Sequence, residues 1–366
     1  MFTITYLAHP PQESRMPRFF AVGYAILLLT AGLFPFQGWR DSGVPVWAFL
    51  GYHWPYYFSQ FDFGINIAAF LPLGMACRQE ARRSWGPFGA WLITVLLCSG
   101  FSFCIETIQV FLPNRNASNV DLLANSLGGV LGALLPPVFR RLPFALAFRR
   151  WRYHVFAEGM LADYGLALAV IWFVAQCNPA LPMFGIVVQP HGLPQPFESP
   201  IPDPALFLRL LEVGGALLHF WGVAIFLATL LKSHRYFLKA IVSLSGMTLL
   251  IKLFLAGILL TPSFFFSWLN LNIVLAQCIG WLLLPAILRL RRRYLAGIAI
   301  LMLLAEQLIS YYWPLTANPV AMLHLFRWSL GHLQNFNAVA DLAADIWPVS
   351  AVLYFVLFIY QRWRDV

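Results

Sequence analysis

The sequence predicts an all-α integral membrane protein with about ten transmembrane helices, and three observations support this class. Of the 366 residues, 60% are hydrophobic and only 11% are charged, with a mean hydropathy of +0.71. A soluble globular domain carries roughly 25% charged residues, so lipid must solvate most of this chain. Apolar runs of about 20 residues, the length of a helix that crosses the hydrocarbon core, recur along the sequence.

The placement of basic residues predicts how these helices are oriented. Of the 24 Lys and Arg residues, 19 lie in alternate connections or in the terminal segments, and only Arg40, Arg115 and Arg327 lie in the opposite set. Basic residues accumulate on the cytoplasmic side of membrane proteins, so both termini are expected there. Topology and anionic lipid headgroups account for the net charge of +9, and no nucleic-acid partner is predicted.

Ten predicted spans are separated by polar, basic or proline-rich connections. In chain order they cover about residues 19–36, 61–77, 86–112, 119–136, 160–178, 205–231, 237–260, 269–288, 294–313 and 346–360. A basic amphipathic connection at 139–158 precedes the fifth span, and a proline-rich outer loop at 179–204 precedes the sixth. The outer segment 314–344 is too polar to span, and we expect it to lie at the interface or to dip into the bundle.

Local sequence supports the individual spans. Basic residues precede the first span, which ends near Pro35, and an outer loop rich in aromatic anchors follows it. Pro72 in the second span removes one backbone hydrogen bond and should kink that helix. In the fourth span, Gly128 and Gly132 form a pair of small residues that lets another helix approach closely.

Polar side chains concentrate where the third and fourth predicted spans meet. The stretch FSFCIETIQVFLPNRNASNVDLLANSLGGVLG (101–132) carries six of them: Glu106, Gln109, Arg115, Ser118, Asp121 and Asn125. The second span adds Asp62 and Asn66. Because such residues are costly inside a membrane and usually functional, these eight define the candidate site.

Helical spacing groups the candidates near the outer boundary. An acid and an amide three or four residues apart share one helix face in three pairs: Asp62 with Asn66, Glu106 with Gln109, and Asp121 with Asn125. The candidate catalytic residues are Glu106, Asp121 and Asp62. The candidate ligand-binding residues are Arg115, Asn66, Gln109, Ser118 and Asn125. No residue is assigned as a metal ligand, and the cofactor is unknown.

Several activities fit this composition. A carboxylate beside an arginine could act as an acid–base pair on a phosphate or glycosidic oxygen, and arginine with amides could grip an anionic headgroup. The three carboxylates could instead hold a divalent metal or carry protons for a transporter. A network that only fixes helix register is the structural alternative. Below Asn66 and Asn125 the spans become apolar, which counts against transport.

A weak internal repeat predicts a second four-helix unit. Three features recur in the same order: Asn66-Ile67 as Asn272-Ile273, Glu106 as Glu306, and DLLAN from Asp121 as DLAAD from Asp341. The matching order and orientation indicate a parallel duplication. The second copy lacks counterparts of Asp62 and Arg115, so its site would be degenerate.

Two basic residues inside later spans are expected to be structural. His219 has no metal-ligand spacing to the other histidines and should be satisfied within the bundle. Lys252 must pair or snorkel, and we expect a carboxylate of another helix as its partner.

The candidate site resembles that of the VanZ family. The resemblance lies in DFGINIAAFLPLG (62–74), in Glu106 with Gln109, and in PNRNASNVDLLANSLGGVLG (113–132). It covers about residues 19–137, and the repeat would add a degenerate copy at 237–361. The predicted organisation is a cytoplasmic N-terminus, a VanZ-like unit, a connector with spans five and six, and a second unit, at 1–18, 19–137, 138–236 and 237–366.

The resemblance implies a multi-pass protein of the bacterial inner membrane with a role at the cell envelope. Founding members of the family are linked to low-level resistance to teicoplanin, a glycopeptide that binds peptidoglycan precursors. The family implies no defined reaction, so whether the chain is an enzyme stays open. We expect action at the outer leaflet on a lipid-linked or exposed envelope glycan, with membrane lipids and a peptidoglycan precursor as partners.

Two alternatives remain open from the sequence. One is a proton-coupled transporter or lipid flippase, in which the same carboxylates carry protons. The other is a non-catalytic membrane partner, for which charge-preserving substitutions at the site would be tolerated. The sequence does not predict an oligomeric state.

Overall fold

The computed structural model describes residues 14–53, 59–139, 142–179, 181–184, 199–312 and 332–364, and the regular structure there is helical. The helices of these ranges are α1 (Met16–Leu33), α2 (Gln60–Ala81), α3 (Pro87–Gln109), α4 (Asn119–Phe139), α5 (Pro143–Val155), α6 (Met160–Ala175), α7 (Pro204–Leu230), α8 (Phe237–Leu259), α9 (Leu271–Ile287), α10 (Arg292–Tyr312) and α11 (His332–Arg364). Within the same ranges, β-type pairing is limited to one isolated bridge between Phe156 and Leu231. The predicted all-α class is therefore confirmed.

Seven of the described helices are long and apolar enough to cross a membrane: α1, α2, α3, α4, α7, α8 and α11. The apolar helices α6 and α9 are shorter, with 16 and 17 residues. The chain is therefore a multi-pass membrane protein. The count of ten spans and the cytoplasmic position of both termini stay predictions.

The described residues change one predicted helix boundary. The last helix begins at His332, well before the predicted start at Ile346 and within the segment expected to be too polar for a span. Hydropathy marks only the apolar part of a helix, whereas the backbone stays helical wherever its hydrogen bonds continue. Residues 313–331 of the same segment lie outside the described ranges. The basic amphipathic connection predicted at 139–158 contains the helix α5.

The helices divide into two compact units. The first comprises Met1–His154 and Glu158–Ala167, and the second comprises Val155–Ala157 and Leu168–Val366. The short helix α6 begins in the first unit and ends in the second. The domain boundaries drawn from the sequence stay predictions.

In the first unit, α2 and α4 make the most extensive helix–helix contact. Gly128 lies against the carbonyl oxygen of Ile67, and Gly132 lies against that of Leu71, so a β-carbon at either glycine would overlap those atoms. The two helices therefore meet backbone to backbone, which is the close approach that the glycine pair predicts. This contact holds the polar N-terminal turns of α2 and α4 beside each other.

Serine hydroxyl groups fix where these two helices begin. The Oγ of Ser59 accepts the backbone N–H of Asp62 at 3.3 Å at the start of α2. The Oγ of Ser118 accepts the N–H groups of Val120 and Asp121 at 3.2 and 3.4 Å at the start of α4. Such caps satisfy donors that have no partner within the helix, and they set the register of the following residues.

The second unit is organised around α7, which packs against both α9 and α10, while α10 also packs on α11. The repeat would equate α9, α10 and α11 with α2, α3 and α4. However, the repeated asparagines have different kinds of partner: Asn66 bonds to Asp121 of α4, whereas Asn272 bonds to Glu212 of α7 at 2.7 Å. The duplication of a four-helix unit stays a prediction.

Candidate functional site

A buried carboxylate lies in the last turn of α3. Glu106 is only 2% exposed, and its Oε2 accepts a hydrogen bond from the backbone N–H of Ser118 at 2.8 Å. Ser118 also caps α4, so the turn between α3 and α4 presents a helix N-terminus to this carboxylate. The partial positive charge of that terminus favours an anion at this position.

A second carboxylate connects α4 to α2. The Nδ2 of Asn66 donates a hydrogen bond of 2.8 Å to the Oδ1 of Asp121, and both residues are half-buried. Glu106 interacts electrostatically with Asp121 and with Arg115. These three ionisable residues therefore form one constellation at the N-terminus of α4.

Arg115 joins this constellation to the end of α1. Its Nε donates to the carbonyl oxygen of Phe34, and its Nη2 donates to that of Ala31, both at 2.9 Å. The last carbonyls of a helix lack intrahelical donors and carry partial negative charge, so the guanidinium acts as a cap for α1. Burial lowers the pKa of Arg115, and the charge of Glu106 acts in the opposite direction.

The amides of the predicted acid–amide pairs donate hydrogen bonds to neighbouring helices, not to the acid on their own helix. The Nε2 of Gln109 donates to the carbonyl oxygen of Gly32 in α1 at 2.9 Å. The Nδ2 of Asn125 donates to the Oγ of Ser102 in α3 at 3.0 Å, and this contact is buried. With the bond from Asn66, these amides tie α1, α2, α3 and α4 together around the carboxylates.

Asp62 occupies the first turn of α2, one helical turn before Asn66. Its backbone N–H is bound by Ser59, and its half-buried side chain makes contacts of its own. The position suits a carboxylate because it lies at the positive end of the helix. Asp62 thus neighbours the bond between Asn66 and Asp121, while Glu106, Asp121 and Arg115 make up the charged constellation.

The sequence left a divalent-metal site open as one alternative. In the part of the chain that the structure describes, no three His, Cys, Asp or Glu residues are grouped so that they could hold a metal ion. The metal alternative for Asp62, Glu106 and Asp121 stays an untested hypothesis.

The second unit contains a buried polar triad. The Nε1 of Trp172 donates to the Nε2 of His219 at 3.0 Å, and the Nδ1 of His219 lies 2.9 Å from the Oε1 of Glu306. Because an indole nitrogen can only donate, Nε2 accepts and Nδ1 carries the proton that faces Glu306. His219 is therefore satisfied within the bundle, as predicted.

Lys252 finds a different partner from the one expected. It is fully buried in α8, and its Nζ donates to the carbonyl oxygens of Asn178 and Leu181 at 2.6 and 3.0 Å. These carbonyls follow the end of α6, where the chain has left the helix and no helical N–H binds them. The expected ion pair with a carboxylate is thus replaced by backbone carbonyls, while the Nδ2 of Asn178 bonds to Asp341 at 3.0 Å.

Sequence reasoning missed Asp163, a buried acid of the first unit with several hydrogen bonds. It is 3% exposed and accepts hydrogen bonds from the Oγ of Ser14 at 2.8 Å, the backbone N–H of Arg15 at 2.6 Å and the Nη2 of Arg152 at 2.6 Å. The available signal was a lone acidic residue in the first turn of an otherwise apolar helix.

The candidate site lies in the part of the chain that matches a known family. The family model described as VanZ/LLP1 matches residues 1–140. The N-terminal part of the chain is therefore VanZ-like. No curated protein and no solved structure matches the chain.

The match includes all eight candidate residues and ends before α5. The constellation of Glu106, Asp121 and Arg115 therefore lies within the VanZ-like part of the chain. The second copy predicted at 237–361 lies outside the matched residues.

Proposed function

We propose that the VanZ-like part of the chain acts at the outer leaflet of the bacterial inner membrane, where it binds or alters a lipid-linked or exposed envelope glycan. The observation that carries this proposal is the gathering of Glu106, Asp121 and Arg115 at the N-terminus of α4. A buried carboxylate next to a second carboxylate and an arginine is costly in a membrane, which favours a functional role.

Each member of the constellation has a role in this proposal. Glu106 gives or takes a proton, with its orientation fixed by the N–H of Ser118. Arg115 attracts the phosphate or carboxylate of the ligand, a task for which a guanidinium is well suited. Asp121 is oriented by Asn66 and supports the ligand or the proton transfer. A link to glycopeptide resistance of the teicoplanin type belongs to the same proposal.

The test compares variants that change charge but keep hydrogen-bond geometry. Glu106→Gln can still accept from Ser118, and Asp121→Asn can still accept from Asn66, so both variants should fold. Glu80→Gln is the matched control because it removes a carboxylate from the more exposed Glu80–Arg83 pair near the other end of α2. A strain lacking the gene is complemented with each variant at matched expression.

Lipid-linked envelope precursors are then quantified by mass spectrometry, together with teicoplanin susceptibility. We expect a precursor species to change with Glu106→Gln and Asp121→Asn, and to stay as in wild type with Glu80→Gln. Full complementation with unchanged lipids in both site variants would overturn the proposal and favour a non-catalytic membrane partner.

A transporter is the second candidate, and one observation in the second unit favours it. Buried polar residues recur along α7 at Glu212, His219 and Thr229, which a rise of 1.5 Å per residue separates by about 10 and 15 Å. Their partners are Asn272, Glu306 and Tyr354 on other helices. Proton uptake by proteoliposomes that Glu306→Gln abolishes would support this candidate, whereas equal uptake by wild type and variant would count against it.

A further inference from the structure

A cavity of about 270 Å³ lies at the end of α1 opposite to the candidate site. It is bordered by Ser14 and Arg15 at the start of α1, Arg152 at the end of α5, and Asp163 at the start of α6. Arg115 caps the other end of α1, and 18 helical residues separate the two ends by about 27 Å. The cavity is therefore separate from the candidate site, although both belong to the first unit.

Asp163 forms part of the cavity wall, and both of its carboxylate oxygens accept hydrogen bonds. Its Oδ1 accepts from Ser14 and Arg152, and its Oδ2 accepts from the backbone of Arg15. The negative charge of Asp163 is thus neutralised by the paired Arg152. These bonds hold the starts of α1 and α6 and the end of α5 in fixed positions.

Two arginines border the cavity, the exposed Arg15 and the buried Arg152. Arg152 is 8% exposed, and its buried Nη1 has no hydrogen-bond partner among the described residues, although its Nη2 binds Asp163. The guanidinium of Arg15 has one hydrogen bond, 3.8 Å from Nη1 to the thioether sulfur of Met160, which is a weak acceptor. The exposed guanidinium of Arg15 can therefore donate to an anion in the cavity, while the buried guanidinium of Arg152 adds positive charge to the cavity wall.

The surrounding helices favour an anion from the membrane surface. α5 exposes the apolar side chains of Phe148 and Trp151 beside the exposed Arg149 and Arg150, which is typical of a helix that lies at the lipid headgroups. The N-termini of α1 and α6 also border the cavity and add partial positive charge. Glu158 lies exposed at the rim and disfavours a ligand with more than one negative charge.

We propose that this cavity binds the singly charged phosphodiester of a membrane phospholipid headgroup. Arg15 donates from its guanidinium to the phosphate oxygens, a contact that suits the planar fork of arginine, and the buried guanidinium of Arg152 supports it from the cavity wall. The site belongs to the membrane face at which the basic connections accumulate. It is independent of the glycan site proposed at the opposite end of α1.

The test measures retained lipid on the full-length protein by native mass spectrometry. Wild type, Arg15→Gln and Arg18→Gln are purified in detergent and titrated with phosphatidylglycerol. Arg18 is the matched control, because it is an exposed arginine one turn further along the same helix and does not border the cavity. A parallel titration uses inorganic phosphate alone.

We expect Arg15→Gln to weaken phosphatidylglycerol binding about tenfold, the effect of losing one charge-assisted hydrogen bond, while Arg18→Gln binds as wild type does. Arg152→Lys, which keeps the charge but loses the fork, should also weaken binding in protein that unfolds as wild type does. Equal lipid retention by the Arg15 and Arg18 variants would overturn the proposal. If inorganic phosphate outcompetes the lipid and its binding depends on Arg15, the ligand is a soluble phosphate and the lipid proposal is overturned.

Discussion

The amide of Asn66 on α2 donates a hydrogen bond of 2.8 Å to the carboxylate of Asp121 on α4. This bond is possible because the two helices meet backbone to backbone at Gly128 and Gly132 further along α4. The polar bond and the glycine contact therefore depend on each other. Both lie within the VanZ-like part of the chain, and together they determine where the carboxylates of the candidate site are held.

The bond between Asn66 and Asp121 should contribute measurably to stability. We expect Asn66→Leu to lower the free energy of unfolding by about 1 kcal/mol, because Asp121 loses its amide donor. Unfolding of the purified protein in mixed micelles, titrated with a denaturing detergent, measures this change. A double-mutant cycle with Asp121→Leu isolates the pair; strictly additive losses would show that the bond contributes nothing.

The glycine contact should tolerate no side chain. In Gly132→Ala, the new β-carbon overlaps the carbonyl oxygen of Leu71, so α2 and α4 must move apart. We expect a loss of roughly 1–3 kcal/mol in the same unfolding experiment. Gly100→Ala in α3 is the control, because a β-carbon there meets no atom within 4 Å. Equal stability of the two variants would contradict the backbone contact.

Arg115 should hold the end of α1 through its two carbonyl contacts. A lysine keeps the charge but cannot present two donors in one plane, so Arg115→Lys should loosen the last turn of α1. We expect hydrogen exchange of amides near residues 30–36 to rise about tenfold, since a loss of 1.4 kcal/mol corresponds to that factor.

The control for this measurement is Arg40→Lys, which changes an exposed arginine of the following loop. Hydrogen exchange followed by mass spectrometry should leave the α1 peptides unchanged in that variant. If Arg115→Lys also leaves them unchanged, the guanidinium does not cap the helix.

The triad in the second unit should fix the tautomer of His219. Nitrogen chemical shifts of the isotope-labelled protein should show the proton on Nδ1, because Trp172 donates to Nε2. Trp172→Phe removes that donor, and we expect both tautomers to become populated. A proton found on Nε2 in the wild-type protein would contradict the geometry of the triad.

Much of the first unit could be predicted from the sequence because its signals are local. Apolar run length predicts α1 to α4 to within a few residues, and the spacing of Gly128 and Gly132 predicts a close helix contact. Residues such as Glu106 and Asp121 stand out because they are rare in apolar spans. The predicted start of α11 was wrong because hydropathy reports only the preference for lipid, whereas a helix can continue through polar residues.

The partners of the candidate residues could not be predicted in this way. Spacing along one helix groups Asp121 with Asn125, yet Asp121 bonds to Asn66 and Asn125 bonds to Ser102. Similarly, Lys252 bonds to two backbone carbonyls of a distant segment. Such partners depend on which helices pack together, and the sequence of one helix contains no information on the face that its neighbour presents.

The sequence by itself determined the membrane class, most helices of the first unit, the VanZ resemblance and the residues of the candidate site, since each follows from composition, periodicity or motif. Only the tertiary structure decided that Glu106, Asp121 and Arg115 form one constellation, that Arg115 caps α1, and that Asp163 walls a cavity at the other end of that helix. The physical reason is that hydrogen bonds between helices join residues distant in sequence, and their geometry is set by packing.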